Sequence, residues 1–266
     1  MKAVMVLSFL LLLQALPARG EVAYLTLDEG LDLSRDAAIV GCDTTKVKAY
    51  VDDQYLVLEA GASKFSVDLD DIPEGGELIV GDITGVGGCD FAVPYGKSDV
   101  NESYTLFLND PLKGELVESK VGLIVNPDFG QRKIISSYRD MARWHEDTLC
   151  YSASRNDYFL CKKKVDIDDF LARENVCGER SCGSPKIIYK SSLLQAFAVV
   201  SVAKARLNNR VSDGFFEERK GYLVGGDKVL LLDFFQAPKG LYYKVEYSGG
   251  VSKVEGWILS SQLIFN

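Results

Sequence analysis

Residues 81–90 read GDITGVGGCD, and residues 91–138 continue FAVPYGKSDVNESYTLFLNDPLKGELVESKVGLIVNPDFGQRKIISSY. A tight glycine loop is thus followed by short apolar runs such as FAVPY, SYTLFLN, VGLIVN and KIISSY. Runs this short, rich in β-branched and aromatic residues, form strands rather than helices. Asn109-Asp110-Pro111 and Asn126-Pro127-Asp128 carry the side chains that start and hold tight turns between them. The loop itself has half of a metal-site spacing. Asp82, Thr84, Val86 and Asp90 stand at relative positions one, three, five and nine, with Gly87 at position six, where a calcium loop turns sharply. A hard cation needs roughly six to eight oxygens. Because Thr84 and Val86 sit where a full loop places carboxylates or amides, the expectation is weakened calcium binding, or a glycine turn held by hydrogen bonds and Cys89.

The same strand reading extends outward from this stretch. Towards the amino terminus VAYLTL, AAIV, KVKAYV, QYLVLE and KFSV alternate with Gly30, Asp52-Asp53 and Gly61, so the chain is predominantly β. Ahead of them, Lys2, the apolar run at 4–13 and Ala18-Arg19-Gly20 have the order of a secretory signal peptide over residues 1–20. The apolar run is shorter than the roughly 20 residues a membrane-spanning helix requires, so a membrane anchor is not expected. No cysteine stands at the cleavage site, which argues against a lipid anchor and for a periplasmic or secreted protein.

The whole chain carries 30 basic and 38 acidic side chains, a net charge of -8, and removal of Lys2 and Arg19 with the leader leaves 28 against 38. Nucleic acid is excluded as a partner by this balance, since phosphate binding needs clustered Lys and Arg. An acidic surface instead keeps a protein soluble and speeds encounter with a basic one. Six cysteines in an exported chain indicate disulfides. Six cysteines allow fifteen connectivities. The expected pairs are Cys150 with Cys161, which bracket a hairpin-like segment, Cys177 with Cys182, which would close a short loop, and the remaining Cys42 with Cys89, which would pin the first strands to the glycine loop. Zinc is the rival reading, with one closely spaced cysteine pair and no partner pair to complete it.

Further along, VDIDDFLARE at 165–174 is the best helix candidate, with Val165, Phe170 and Leu171 partly on one face. Composition shifts to Gly, Ser and Cys around 177–185, which sets the expected organisation: a β domain over 21–176, a disulfide-containing linker over 177–195 and a small domain over 196–266. The apolar run at 193–202 reads as a strand because Val199, Val200 and Val202 are β-branched. Asn101-Glu102-Ser103 matches the glycosylation pattern. No catalytic centre is expected. The one histidine, His145, lies in no G-x-S-x-G or H-E-x-x-H motif and reads as a solvated loop residue; the acid clusters at 68–71 and 166–169 read as solvated faces.

Two resemblances add to this reading. Gly221-Tyr222-Leu223-Val224, Gly226-Asp227-Lys228-Val229, the 241–247 run and Gly256-Trp257-Ile258 resemble the strand and turn order of bacterial SH3-like barrels over 199–265. Leu241 or Tyr242 stands where that family often has tryptophan. DITGVGGCDFAVPYG is similar to the loop and strand of FG-GAP or VCBS-type repeats, and residues 78–162 resemble periplasmic VCBS-like proteins related to lysozyme inhibitors and to immunity proteins against secreted peptidoglycan hydrolases. The resemblance implies an irregular β-propeller-like domain followed by an SH3-like barrel, with calcium, if bound, on Asp82, Thr84, Asp90 and the carbonyl of Val86. It implies a protein that inhibits a basic peptidoglycan hydrolase by occluding its cleft, with contact residues sought at Asn109, Asp110 and Trp144. The alternative is a wall-associated module that binds peptidoglycan through the SH3-like domain.

Overall fold

The computed structural model describes residues 22–27, 31–33, 42, 46–110, 112–249 and 252–265; the signal-peptide reading lies outside them. The chain is mainly β, in several antiparallel sheets, none of them closed. β1 (Val22–Thr26) precedes a three-stranded sheet of β2 (Val47–Asp52), β3 (Tyr55–Ala60) and β4 (Ser63–Asp68). Next come β5 (Glu77–Gly81), β6 (Asp90–Lys97), β7 (Glu102–Asp110), β8 (Glu115–Glu118) and β9 (Ile124–Val125). They form a central sheet in the order β1-β5-β6-β7-β8, with β9 also on β7. A six-stranded meander follows in chain order: β10 (Pro127–Gly130), β11 (Lys133–Asp140), β12 (Arg143–Ser152), β13 (Asp157–Asp166), β14 (Leu171–Val176) and β15 (Lys186–Tyr189). The last sheet holds β16 (Phe197–Val200), β17 (Lys204–Ser212), β18 (Phe215–Val224), β19 (Lys228–Ala237), β20 (Gly240–Gly249), β21 (Ser252–Leu259) and β22 (Leu263–Phe265). Its order is β18-β17-β21-β20-β19-β16-β22.

The central sheet is covered on both faces, and its sequence shows why. Leu78 and Val80 of β5, with Phe91, Val93 and Phe107, pack on Leu56 and Leu58 of the three-stranded sheet. The residues between them, Ile79, Ala92, Leu106 and Leu108, join Phe129, Ile134, Leu149 and Tyr158 of the meander. A strand buried on both faces reads as an unbroken apolar run, as ELIV does. A third cluster joins Leu171 and Ile187 of the meander to Ala198, Val229, Leu231 and Val245 of the last sheet.

Side-chain amides stitch the layers where the backbone ladders stop. Asn126 has φ 41°, accepts on Oδ1 from the N–H of Glu102 at 2.9 Å and donates through Nδ2 to the carbonyls of Val100 and Ser137. Asn101 accepts from Arg139 N–H and donates back to its carbonyl, each at 3.0 Å. The amide of the glycosylation motif is therefore committed to holding the β11–β12 hairpin against the central sheet. Disulfides join Cys42 to Cys89, Cys150 to Cys161 and Cys177 to Cys182, the pairs favoured from spacing, and leave no cysteine free.

Two expectations need correction. Residues 165–174 are not a helix: Val165 and Asp166 end β13 and Leu171 opens β14. Asp168 decides this, because its Oδ1 accepts the N–H groups of both Phe170 and Leu171 at 2.8 Å, closing a turn that competes with helical bonding. The strand expected over 193–202 is confined to β16, while Leu193 takes φ 58° in a turn. The stretch 177–195 contains β15, which pairs with β14 as the edge of the meander.

Candidate functional site

The glycine loop is built around its two acids. Asp90, wholly buried at the start of β6, accepts on Oδ2 from Thr84 N–H and Oγ1–H, each at 2.8 Å, and on Oδ1 from Asn109 N–H at 2.9 Å. Asp82 accepts from Val86 N–H on one oxygen and from Gly87 N–H on the other, each at 3.0 Å. Burial pushes the Asp90 carboxyl up to about 7, against the three donors, which pull it down, and with Asp82 adding a smaller upward push. Both carboxylates thus accept from donors of the loop, and Asp90 from Asn109 of β7 as well. Among the described residues no group of three His, Cys, Asp or Glu is placed to hold a metal ion. The loop is a hydrogen-bonded turn, with Gly85 and Gly87 supplying positive φ.

Asn109 and Asp110 are buried side chains. They are 4% and 8% exposed. Asp110 Oδ1 accepts from the N–H groups of Leu112 and Lys113, so it shapes the turn, and what projects is Leu112. Trp144, on β12, is 46% exposed beside the fully projecting Met141 of the hairpin tip, and is free to make contact.

Two surfaces escaped the sequence reading. The first is the 166–171 turn, read there as helix. Phe170 at its tip is 75% exposed and follows Asp168 and Asp169, both on the surface. Besides the two bonds to Asp168, Ile167 N–H donates to Leu171 O, Lys190 N–H donates to Phe170 O, and Lys190 Nζ pairs with Asp166 at 2.6 Å. A hollow of about 410 Å³, lined by Phe170, Leu171, Tyr189, Ser191 and Phe265, opens beside the turn. An acidic pair directly before an aromatic residue was the available signal, hidden by an apparent helical face.

The second is a groove of about 800 Å³ between the meander and the last sheet. Tyr138, His145, Val165, Arg173 and Ile187 are successive cross-strand partners from β11 to β15, so they share one face of the meander. Arg173 Nε reaches Asp233 of β19 at 2.7 Å. Arg143 donates from one terminal nitrogen to the carbonyls of Asp166 and Ile167, and its guanidinium lies 4.8 Å from the centre of the Phe234 ring. Arg210 lies 3.6 Å over Phe235. His145 is a strand residue, not a solvated loop one: it stacks on Tyr138 at 4.9 Å. Burial, then the charge of Lys163, hold its imidazole below the ordinary histidine range. Its Nδ1 is buried without a partner, so a second proton there would lack an acceptor. The residues 143, 163, 173 and 210 form no motif: register brings the first three to one sheet, and packing of the last sheet against it adds Arg210.

Three disulfides place the chain in an oxidising environment, and no described helix is long and apolar enough to cross a membrane. Comparison with protein-family models, curated proteins and solved structures finds no match to the chain.

Proposed function

We propose that this is an exported binding protein that blocks a basic peptidoglycan-cleaving enzyme by filling its cleft with the 166–171 turn. The observation that carries this reading is Phe170, 75% exposed on a short acidic turn whose backbone is held from both sides. A rigid aromatic anchor loses little entropy on docking and supplies the kind of contact that dominates binding energy. Asp168, Asp169 and the net charge of -8 complement a basic rim and raise the encounter rate. The reading keeps the expected signal peptide and periplasmic location, an irregular propeller-like arrangement for β1–β15 and an SH3-like barrel for β16–β22. Inhibition of a panel of lysozymes and other muramidases tests it. Inhibition should appear against at least one basic enzyme and fall about tenfold or more in Phe170→Ala with unchanged thermal stability, whereas a Phe170→Ala variant as potent as wild type would reject the turn as the inhibitory element.

A second reading is favoured by the aromatic group of the last sheet. Phe216 stacks on Tyr242 at 4.0 Å and meets Trp257 and Phe235 at 5.5 and 6.0 Å, a platform of the kind that binds peptide or sugar faces. On that reading the last sheet attaches the protein to peptidoglycan. Sedimentation with purified sacculi, without inhibition of any hydrolase, would select it over the first.

A further inference from the structure

We propose that the groove between the meander and the last sheet binds a small polyanion, a ligand with two or more carboxylate or phosphate groups, between Arg143 and Lys163. In a chain of net charge -8 the groove lining gathers four cations, Arg143, Lys163, Arg173 and Arg210, against Asp140 and Asp233. Two of the four are already matched: Arg173 with Asp233 at 2.7 Å and Arg210 with Asp213 at 2.6 Å. The other two are not. Both bonds from Arg143 leave from Nη1 and end on backbone carbonyls, which orient the guanidinium without neutralising it and leave Nη2 and Nε for a ligand. Phe234 backs the same group, so its plane is set before any ligand arrives.

Lys163 forms no salt bridge among the described residues, in contrast to Lys162 and Lys164 on either side of it, which pair with Glu174 and Glu146. The alternation of a strand explains the difference, because Lys163 shares the groove face with Val165, while its neighbours face the polar side of the sheet. Asp147, its half-buried cross-strand partner, accepts on Oδ2 from the Tyr138 hydroxyl at 3.2 Å and makes no salt bridge with Lys163; burial pushes its carboxyl up while the charge of Lys163 pulls it down. His145 lies on β12 between Arg143 and Asp147; burial and then the charges of Lys163 and Arg143 favour its neutral form, against opposing pulls from Asp140 and Asp147. The groove thus offers two cations without a salt-bridge partner among the described residues, an aromatic backing and room for a ligand of ordinary cofactor size.

His145 is the chain's one histidine, so its ring protons give a single resolved reporter inside the groove. Citrate and pyrophosphate, as carboxylate and phosphate probes, are titrated into the full-length mature protein at fixed pH and low salt while that signal is followed. A saturable displacement by either probe is expected, and the tighter of the two identifies the chemistry. Lys163→Gln should weaken binding about tenfold or more, and Lys164→Gln, on the opposite face, should leave it within about twofold. Absence of a saturable displacement with both probes at millimolar concentration overturns the proposal. Equal weakening by the two variants overturns it too, since it would show attraction to overall charge rather than to a site. The outcome is independent of hydrolase inhibition, which is read at Phe170.

Discussion

At the scale of single residues, Asp90 makes the fold sensitive to pH in an unusual direction. Its carboxyl ionises at about 7 when folded against 3.8 for an unperturbed aspartate. Between those values the native state holds a proton that the unfolded chain has released. Stability contributed this way is complete below about pH 4 and is lost as pH rises through 7. Urea unfolding from pH 4 to 8 should show the fold weakening by on the order of a few kcal/mol across that window. Asp90→Asn should flatten the profile, at an overall cost of about 1–3 kcal/mol, because an amide NH₂ then confronts Thr84 or Asn109 donors. Asn126→Ala removes three side-chain hydrogen bonds and places alanine at φ 41°, and should cost about 2–4 kcal/mol by denaturant titration. Asn126→Gly keeps the backbone freedom and isolates the hydrogen-bond share. The loop acids were found from spacing, and a hydrogen-bonded glycine turn was one of two readings of them, but the donors that hold it were not found. A sequence shows which groups carry lone pairs and leaves open which donors come to meet them.

At the scale of elements, the strands were legible because run length and side-chain branching act locally. ELIV and YLVLE are too short and too β-branched for helices, and each became a strand. VDIDDFLARE failed because helical spacing of its apolar residues outweighed a local fact, that Asp168 can satisfy two following amides and stop the chain there. The two-faced burial of β5 gives a direct check on the layer arrangement. Leu78→Ala and Ile79→Ala remove side chains on opposite faces, both essentially unexposed, and each should cost about 2–5 kcal/mol in equilibrium unfolding. A sheet with one wet face would make one of the two nearly silent. The cationic groove, by contrast, was invisible in the sequence: its residues lie on different strands of two sheets and meet through register and through the packing of those sheets.

At the scale of the molecule, cysteine count bounded the compartment, while the relation between sheets was unreadable, since it rests on which apolar faces meet. Raising salt should slow association with a basic hydrolase far more than dissociation, and stopped-flow mixing at two ionic strengths checks it. The Cys42–Cys89 bridge spans 47 residues, and the double Cys→Ala variant should lose about 4 kcal/mol by chain-entropy reasoning, measured as a shift in denaturant midpoint. That tie reaches from the edge of the first buried cluster to its centre, where Cys89 is fully enclosed. A protease that nicks the backbone anywhere between the two sulfurs would therefore release nothing. The severed pieces would migrate as one species on a gel until a reductant was added.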